Sequence, residues 1–194
     1  IPAPPILPQN RYNLYMNYRR VFVQGGTYFF TLVTYQRRAI FSNPLAVEQL
    51  RQAFRYVLKR YPFTIVASVI LPDHMHFIWT LPPDSSDFSI RWKLIKGHFS
   101  RHWSGEKYPN ISASRKMKGE AGVWQRRFWE HLIRDEVDFK RHVEYIHFNP
   151  VKHGWAQFPM EWEYSSFKKY VEEGLYPADW GANGKVWIGE SYME

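Results

Sequence analysis

The chain has 194 residues, no cysteine, 45% apolar and 19% aromatic residues, and a net charge of +8. That length supports one domain with a real core, and the composition is far from that of a disordered chain. The lack of cysteine excludes a disulfide scaffold, a thiolate metal site and a cysteine nucleophile. No apolar run is long enough to cross a bilayer, and the N-terminus has no basic-then-apolar leader pattern, so the chain reads as soluble, not secreted and cytoplasmic.

The charge is uneven. Residues 171–194 hold Glu172, Glu173, Asp179, Glu190 and Glu194 against Lys185, a net of −4, which leaves +12 on the remainder. A basic body with 9 Trp, 13 Tyr and 14 Phe suits a polyanion whose bases stack on rings. The alternative is that the cations solvate a surface and the rings fill a core.

In chain order, residues 1–16 hold four prolines and no periodicity. They read as an extended arm or as a remnant foreign to the natural protein, with Met16 as a natural start. Residues 17–170 read as one folded domain and residues 171–194 as an acidic tail. After the Gly25-Gly26 turn, residues 27–35 are nearly all β-branched or aromatic and predict a strand. Ser42 or Asn43 caps a helix that opens on Pro44 and carries an apolar stripe through Val47, Leu50, Phe54 and Val57 to Tyr61. Pro62 stops it. Strands over 63–71 and 74–81 follow, joined by a connection short enough for a hairpin.

A second helix is expected from Phe88 to about Trp103, basic through Arg91, Lys93, Lys96 and Arg101. Residues 105–122 read as a long polar loop, and residues 123–133 as a fourth strand with a break. Asp135, with Asp138 three residues on, starts a third helix that buries Phe139, Val143 and Ile146 and ends at Pro150. The order β-α-β-β-α-β-α predicts an α+β fold: a ferredoxin-like antiparallel sheet with helices on one face, plus an extra C-terminal helix.

Two pairs of residues carry chemistry. His74 and His76 alternate with Met75 on one strand and so share a sheet face, where two imidazoles can hold a metal or simply be solvated or hydrogen-bonded. Tyr145 and Asn149 are four apart and so share a helix face. Tyr145 can be a half-buried helix tyrosine, and Asn149 a helix C-cap. With no cysteine, Tyr145 is also an available nucleophile. For DNA contacts the best-placed cations are Arg19, Arg20, Arg37, Arg38, Arg126 and Arg127, at strand ends or beside rings, and Arg115, Lys116 and Lys118 in the long loop. His142 reads as a solvated helix residue, and Glu144 and Asp73 as structural.

His74-Met75-His76 resembles the His-hydrophobe-His motif of the HUH single-strand endonucleases. More narrowly, residues 18–20, 26–31, 71–76, 124–131 and 145–154 resemble the REP-associated tyrosine transposases. Trp162, the Tyr164-Ser165-Ser166-Phe167 string and Asp179-Trp180-Gly181 resemble their C-terminal segment. The resemblance implies that residues 17–170 form an HUH-type catalytic domain and that the third helix carries the catalytic Tyr145. His74, His76 and Asn149 would ligate Mg²⁺ or Mn²⁺. Tyr145 would attack single-stranded DNA beside a hairpin of a repetitive extragenic palindrome, leaving a 5′-phosphotyrosine and a free 3′-OH.

It also implies a bacterial, nucleoid-associated protein. A monomer is expected, with a dimer required if the last helix swaps. A hairpin-binding regulator that does not cut is the alternative from a different class. A relaxase-type initiator and a hydrolase of small phosphates fit less well, for want of paired tyrosines and of carboxylates beside the His pair.

Overall fold

The structure, a computed structural model, describes residues 20–105 and 111–182. Its sheet has four strands, β1 (Thr27–Val33), β2 (Thr64–Ile70), β3 (His74–Thr80) and β4 (Trp129–Leu132), in the order β2-β3-β1-β4. All neighbours are antiparallel. This is the expected α+β, ferredoxin-like arrangement.

Alternation assigns the faces. Tyr28, Phe30 and Leu32 of β1 and Met75, Phe77 and Trp79 of β3 point to one side. That side is covered by α1 (Pro44–Leu58) and α2 (Phe88–His102). Asn43 caps α1 by accepting from Leu45 N at 2.9 Å, and Asp87 caps α2 by accepting from Ile90 N at 3.0 Å. Trp79 of β3 and Trp92 of α2 stack with centroids 4.0 Å apart at the centre of this core.

The opposite face carries Phe29, Ala67, Val69 and Ile78, and α4 (Glu136–Lys152) lies on it through Val143, Tyr145 and Ile146. The extra helix is therefore a third layer. With helices on both sides, β3 is buried from His74 to Trp79. A bulge between Ile65 and Ala67 switches the parity of β2, which places Ala67 and Val69 under α4.

Several boundaries differ from the sequence reading. Pro150 does not end α4; the helix runs on to Lys152, and His153 N bonds Asn149 O at 3.1 Å. The fourth strand is short because only Trp129–Leu132 pair with β1, with a separate bridge at Thr34–Trp124. The long polar loop contains a short helix, α3 (Ala113–Met117). Arg91, one of the cations that make the second helix basic, is buried and bonds the carbonyls of Pro62 and Asp87.

The expected domain limit at Tyr170 falls inside a further helix, α5 (Phe167–Glu172). Beyond it, Tyr176 and Trp180 pack on His147, Phe148 and Phe167. The segment before α5 closes the free edge of β2: Trp162 Nε1 donates to Ile70 O at 2.9 Å, and Ser166 bonds Ser68 through backbone and side chain. Residues 1–19, including Arg19, and residues 183–194, half of the acidic tail, lie outside the described residues.

Candidate active site

The turn before β3 is fixed from two sides. Thr34, fully buried, donates through both N–H and Oγ1 to Asp73 O at 2.9 Å, and Phe41 N donates to Pro72 O at 2.9 Å. This anchoring starts β3 in the register that points His74 and His76 to the α4 side, opposite Val33 and Thr31 of β1.

Each imidazole is oriented through its Nδ1. Asp73 Oδ1 lies 2.6 Å from His74 Nδ1, and Thr31 Oγ1 lies 2.9 Å from His76 Nδ1. Arg37 Nη1 stands 3.3 Å from the other Asp73 oxygen. Burial alone would raise the Asp73 carboxyl, but the hydrogen bonds and charges of His74 and Arg37 hold it below its ordinary value. Burial, and then the charge of His74, keep His76 well below the usual imidazole range. Its Nε2 is buried and has no hydrogen-bond partner among the described residues. A neutral imidazole with a free, buried Nε2 and an oriented Nδ1 is the state that a metal ligand requires.

Tyr145 meets this pair from α4, its ring 5.1 Å from that of His76. One chain thus supplies both walls of the cleft. Phe29 forms the floor, stacked on His76 at 5.4 Å and edge-on to Tyr145 at 5.9 Å. The cleft holds about 450 Å³ and is also lined by Arg37, Gln125, Arg127, Phe128, Trp129 and His153.

Asn149 lies one helical turn beyond Tyr145 and one before His153, whose ring is 4.9 Å from that of His74. It is fully buried, and neither amide atom has a hydrogen-bond partner among the described residues. Buried amides are nearly always satisfied, so an open amide oxygen on the helix that carries Tyr145 and is capped by His153 fits a cation site.

The expected DNA contacts divide. Arg37 and Arg127 line the cleft. Arg20 instead packs over Phe128 at 4.5 Å and faces buried Glu130 at 3.1 Å, on the α1–α2 side of the sheet. Arg115 lies over the Tyr35 ring at 4.1 Å and pairs with Glu120 at 2.8 Å. Arg126 pairs with the same carboxylate at 2.8 Å. Lys116 and Lys118 are exposed and Arg38 is half-buried.

Sequence reasoning missed Thr31, Phe29 and Lys152, whose Nζ sits 5.3 Å from the Tyr145 ring. It also treated Asp73 as structural, although a carboxylate next to a histidine ligand is a signal that could have been used. Nor is His142 solvated: it is buried, with Nδ1 2.8 Å from Asp138 O. His131, Asp138 and His142 place ligand atoms within 4.8 Å of one another. In that group Asp138 Oδ2 already bonds His131 Nε2 at 2.8 Å and Arg134 N at 3.0 Å, which ties β4 to α4.

Comparison with known proteins decides the family. The family model described as "Transposase IS200 like" matches residues 22–149, which include Tyr145, both histidines and Asn149. The chain belongs to the IS200-like transposases, and within them to the REP-associated tyrosine transposases.

The REP-associated tyrosine transposase of Escherichia coli K12 is 43% identical over 166 residues, covering 86% of this chain and 91% of the relative. A Haemophilus influenzae protein given the same family name provisionally is 42% identical over 86% of this chain and 94% of its own length. A solved REP-associated tyrosine transposase, bound to a REP hairpin, superposes with a TM-score of 0.71 and 41% identity, over 91% of this chain and 98% of its own. As a member of this family the chain is a single-tyrosine transposase.

Proposed function

We propose that this transposase cleaves and rejoins single-stranded DNA beside hairpins of the REP type, through a covalent link between Tyr145 and a 5′-phosphate. The observation that carries the reading is the Tyr145 ring set 5.1 Å from His76, whose Nε2 is buried and without a partner among the described residues. The hairpin partner is carried over from the similar protein solved with a REP hairpin.

His74, His76 and Asn149 would hold a divalent cation, Mg²⁺ or Mn²⁺, that withdraws charge from the scissile phosphate. Two imidazoles favour Mn²⁺ over Mg²⁺, which prefers oxygen ligands. A free phenol titrates near ~10 and is a weak nucleophile at neutral pH, so positioning must do much of the work. Packing of Tyr145 against Phe29 and His76 restricts its ring at the wall of the cleft. Arg37 and Lys152 bring positive charge to where the phosphate would lie.

In the forward step the Tyr145 oxygen bonds to phosphorus, the bond to the 3′-oxygen breaks, and that oxygen takes a proton to leave as a 3′-OH. The phenol proton is released, so the step is proton-neutral overall. Attack by another 3′-OH on the phosphotyrosine reverses it and joins strands without external energy, because the link conserves the phosphodiester.

The test is incubation of an end-labelled hairpin carrying a single-stranded extension with Mn²⁺ or Mg²⁺, followed by a denaturing gel. A protein–DNA adduct is expected with the unaltered chain and none with Tyr145→Phe. An undiminished adduct in Tyr145→Phe overturns the assignment. Hairpin binding with no adduct under either metal would favour a regulator that holds DNA without cutting it.

A further inference from the structure

Phe29 of β1 pairs with His131 of β4, so both side chains face α4. On α4, Asp138 and His142 are four apart and share a helix face. These three polar side chains converge. His131 Nε2 lies 2.8 Å from Asp138 Oδ2, and His142 Nδ1 lies 3.1 Å from Asp138 Oδ1. Each carboxylate oxygen thus faces one imidazole, and one ligand atom from each residue falls within 4.8 Å of the other two. The group is a neighbour of the catalytic one: the Phe29 ring is 4.8 Å from that of His142 and 5.4 Å from that of His76.

The charge state suits a cation. Burial would raise the Asp138 carboxyl, but hydrogen bonds from His131 and from Arg134 N hold it below its ordinary value, so it is an anion near neutral pH. Burial keeps the His142 imidazole below its usual range and therefore neutral. A buried carboxylate flanked by two imidazoles is a donor set that binds Zn²⁺. Bonds of about 2.0–2.2 Å to the metal set its ligands roughly 3.2–3.6 Å apart. The contacts at 2.8 and 3.1 Å therefore need to open only slightly to admit an ion. Without one, protons on the two nitrogens bridge the same contacts. The His131 side chain is 24% exposed, against 6% for His142 and 9% for Asp138, so an ion enters past His131 and keeps a water as fourth ligand there. Arg134 Nε also reaches Asp138 Oδ2 at 3.3 Å, but its side chain is 71% exposed, and such surface pairs are weak.

We propose that His131, Asp138 and His142 form a second cation site, which prefers Zn²⁺ and similar transition metals to Mg²⁺ and pins β4 to the helix that carries Tyr145. The two imidazole nitrogens set that preference. The site shares no ligand with His74, His76 and Asn149, and it stands whether or not Tyr145 cleaves DNA.

The test uses the full chain as its H74Q/H76Q variant, stripped with EDTA and dialysed, so that the imidazoles of the other set are gone. Calorimetry should show one Zn²⁺ bound per chain, and Co²⁺ should develop the visible absorption of a four-coordinate site. Mg²⁺ at the same concentrations should not bind. Adding H131Q, whose amide can still donate to Asp138, should weaken Zn²⁺ more than about 100-fold, because loss of an outer-shell partner alone costs about 10–100-fold. Zn²⁺ should raise the urea midpoint of H74Q/H76Q and leave that of the H131Q form where it was. Adding R134A instead should tighten Zn²⁺ about two- to fivefold, since it removes a surface cation from Asp138. A clasp that serves only to hold β4 on α4 gives no such gain.

No Zn²⁺ bound to H74Q/H76Q overturns the proposal. So does equal binding with and without H131Q, which would put the ion elsewhere, such as on the stacked His98 and His102 of α2. The R134A arm decides the question even where H131Q lowers stability: unaltered or weaker binding there overturns Asp138 as a ligand.

Discussion

Asp73 shows how one carboxylate can serve fold and chemistry together. Its carbonyl accepts from Thr34 and fixes the turn, while its side chain holds His74 Nδ1 at 2.6 Å and takes Arg37 at 3.3 Å. A carboxylate on Nδ1 sets the tautomer that leaves Nε2 as the lone-pair nitrogen and raises its basicity. Asp73→Asn keeps the volume and the backbone bond but removes the charge. Isothermal titration with Mn²⁺ should show affinity lowered by about 10–100-fold, with the melting temperature nearly unchanged. Equal affinity in the variant would confine Asp73 to the turn. Strand alternation alone would send residues 73 and 74 to opposite faces, so this contact was not legible from period. It arises because the turn swings the Asp73 side chain back.

At the scale of elements, what could be read from sequence depended on how local the cause was. The caps Asn43 and Asp135 act within three residues of the helix they start, and the alternation of Met75, Phe77 and Trp79 with the His pair survives in the register. The side of the sheet taken by α4 was not legible, nor was α5, whose six residues are placed by long-range bonds to β2 and α4. His147 belongs to this second class. Nothing in its local sequence marks it, yet it is fully buried, with Nε2 2.9 Å from Ser166 Oγ, and burial takes it down to about 3. Below the ordinary imidazole value of about 6.5 the unfolded chain binds a proton that the folded chain refuses. Stability therefore falls as pH drops from there toward about 3. Near pH ~5 this one residue should cost about 2 kcal/mol relative to pH ~7.5. Urea unfolding at the two pH values should show that extra loss in the unaltered chain and its absence in His147→Gln; an identical pH dependence in both would refute the account.

Across the whole molecule, one sheet separates two kinds of packing. The α1–α2 side is a core of aromatic and aliphatic side chains, whereas the α4 side combines apolar contacts with every residue proposed to touch metal or scissile phosphate. Groups far apart with no shared partners contribute independently, so damage to the first side should lower stability and leave the site's affinity alone. Leu50 of α1 is fully buried on the first side, and Val143 of α4 is 2% exposed on the second, on the helix that carries Tyr145 and Asn149. Leu50→Ala should destabilise by about 2–5 kcal/mol with Mn²⁺ affinity retained. Val143→Ala removes less volume, about 1–3 kcal/mol on the same scale, yet it should weaken Mn²⁺ binding, because a shift of α4 displaces Asn149 from the His pair. Urea midpoints and titrations on the two variants separate the outcomes: a tenfold loss of affinity in Leu50→Ala would mean that the sheet transmits strain between its faces, and unaltered affinity in Val143→Ala would mean that α4 does not set the metal geometry.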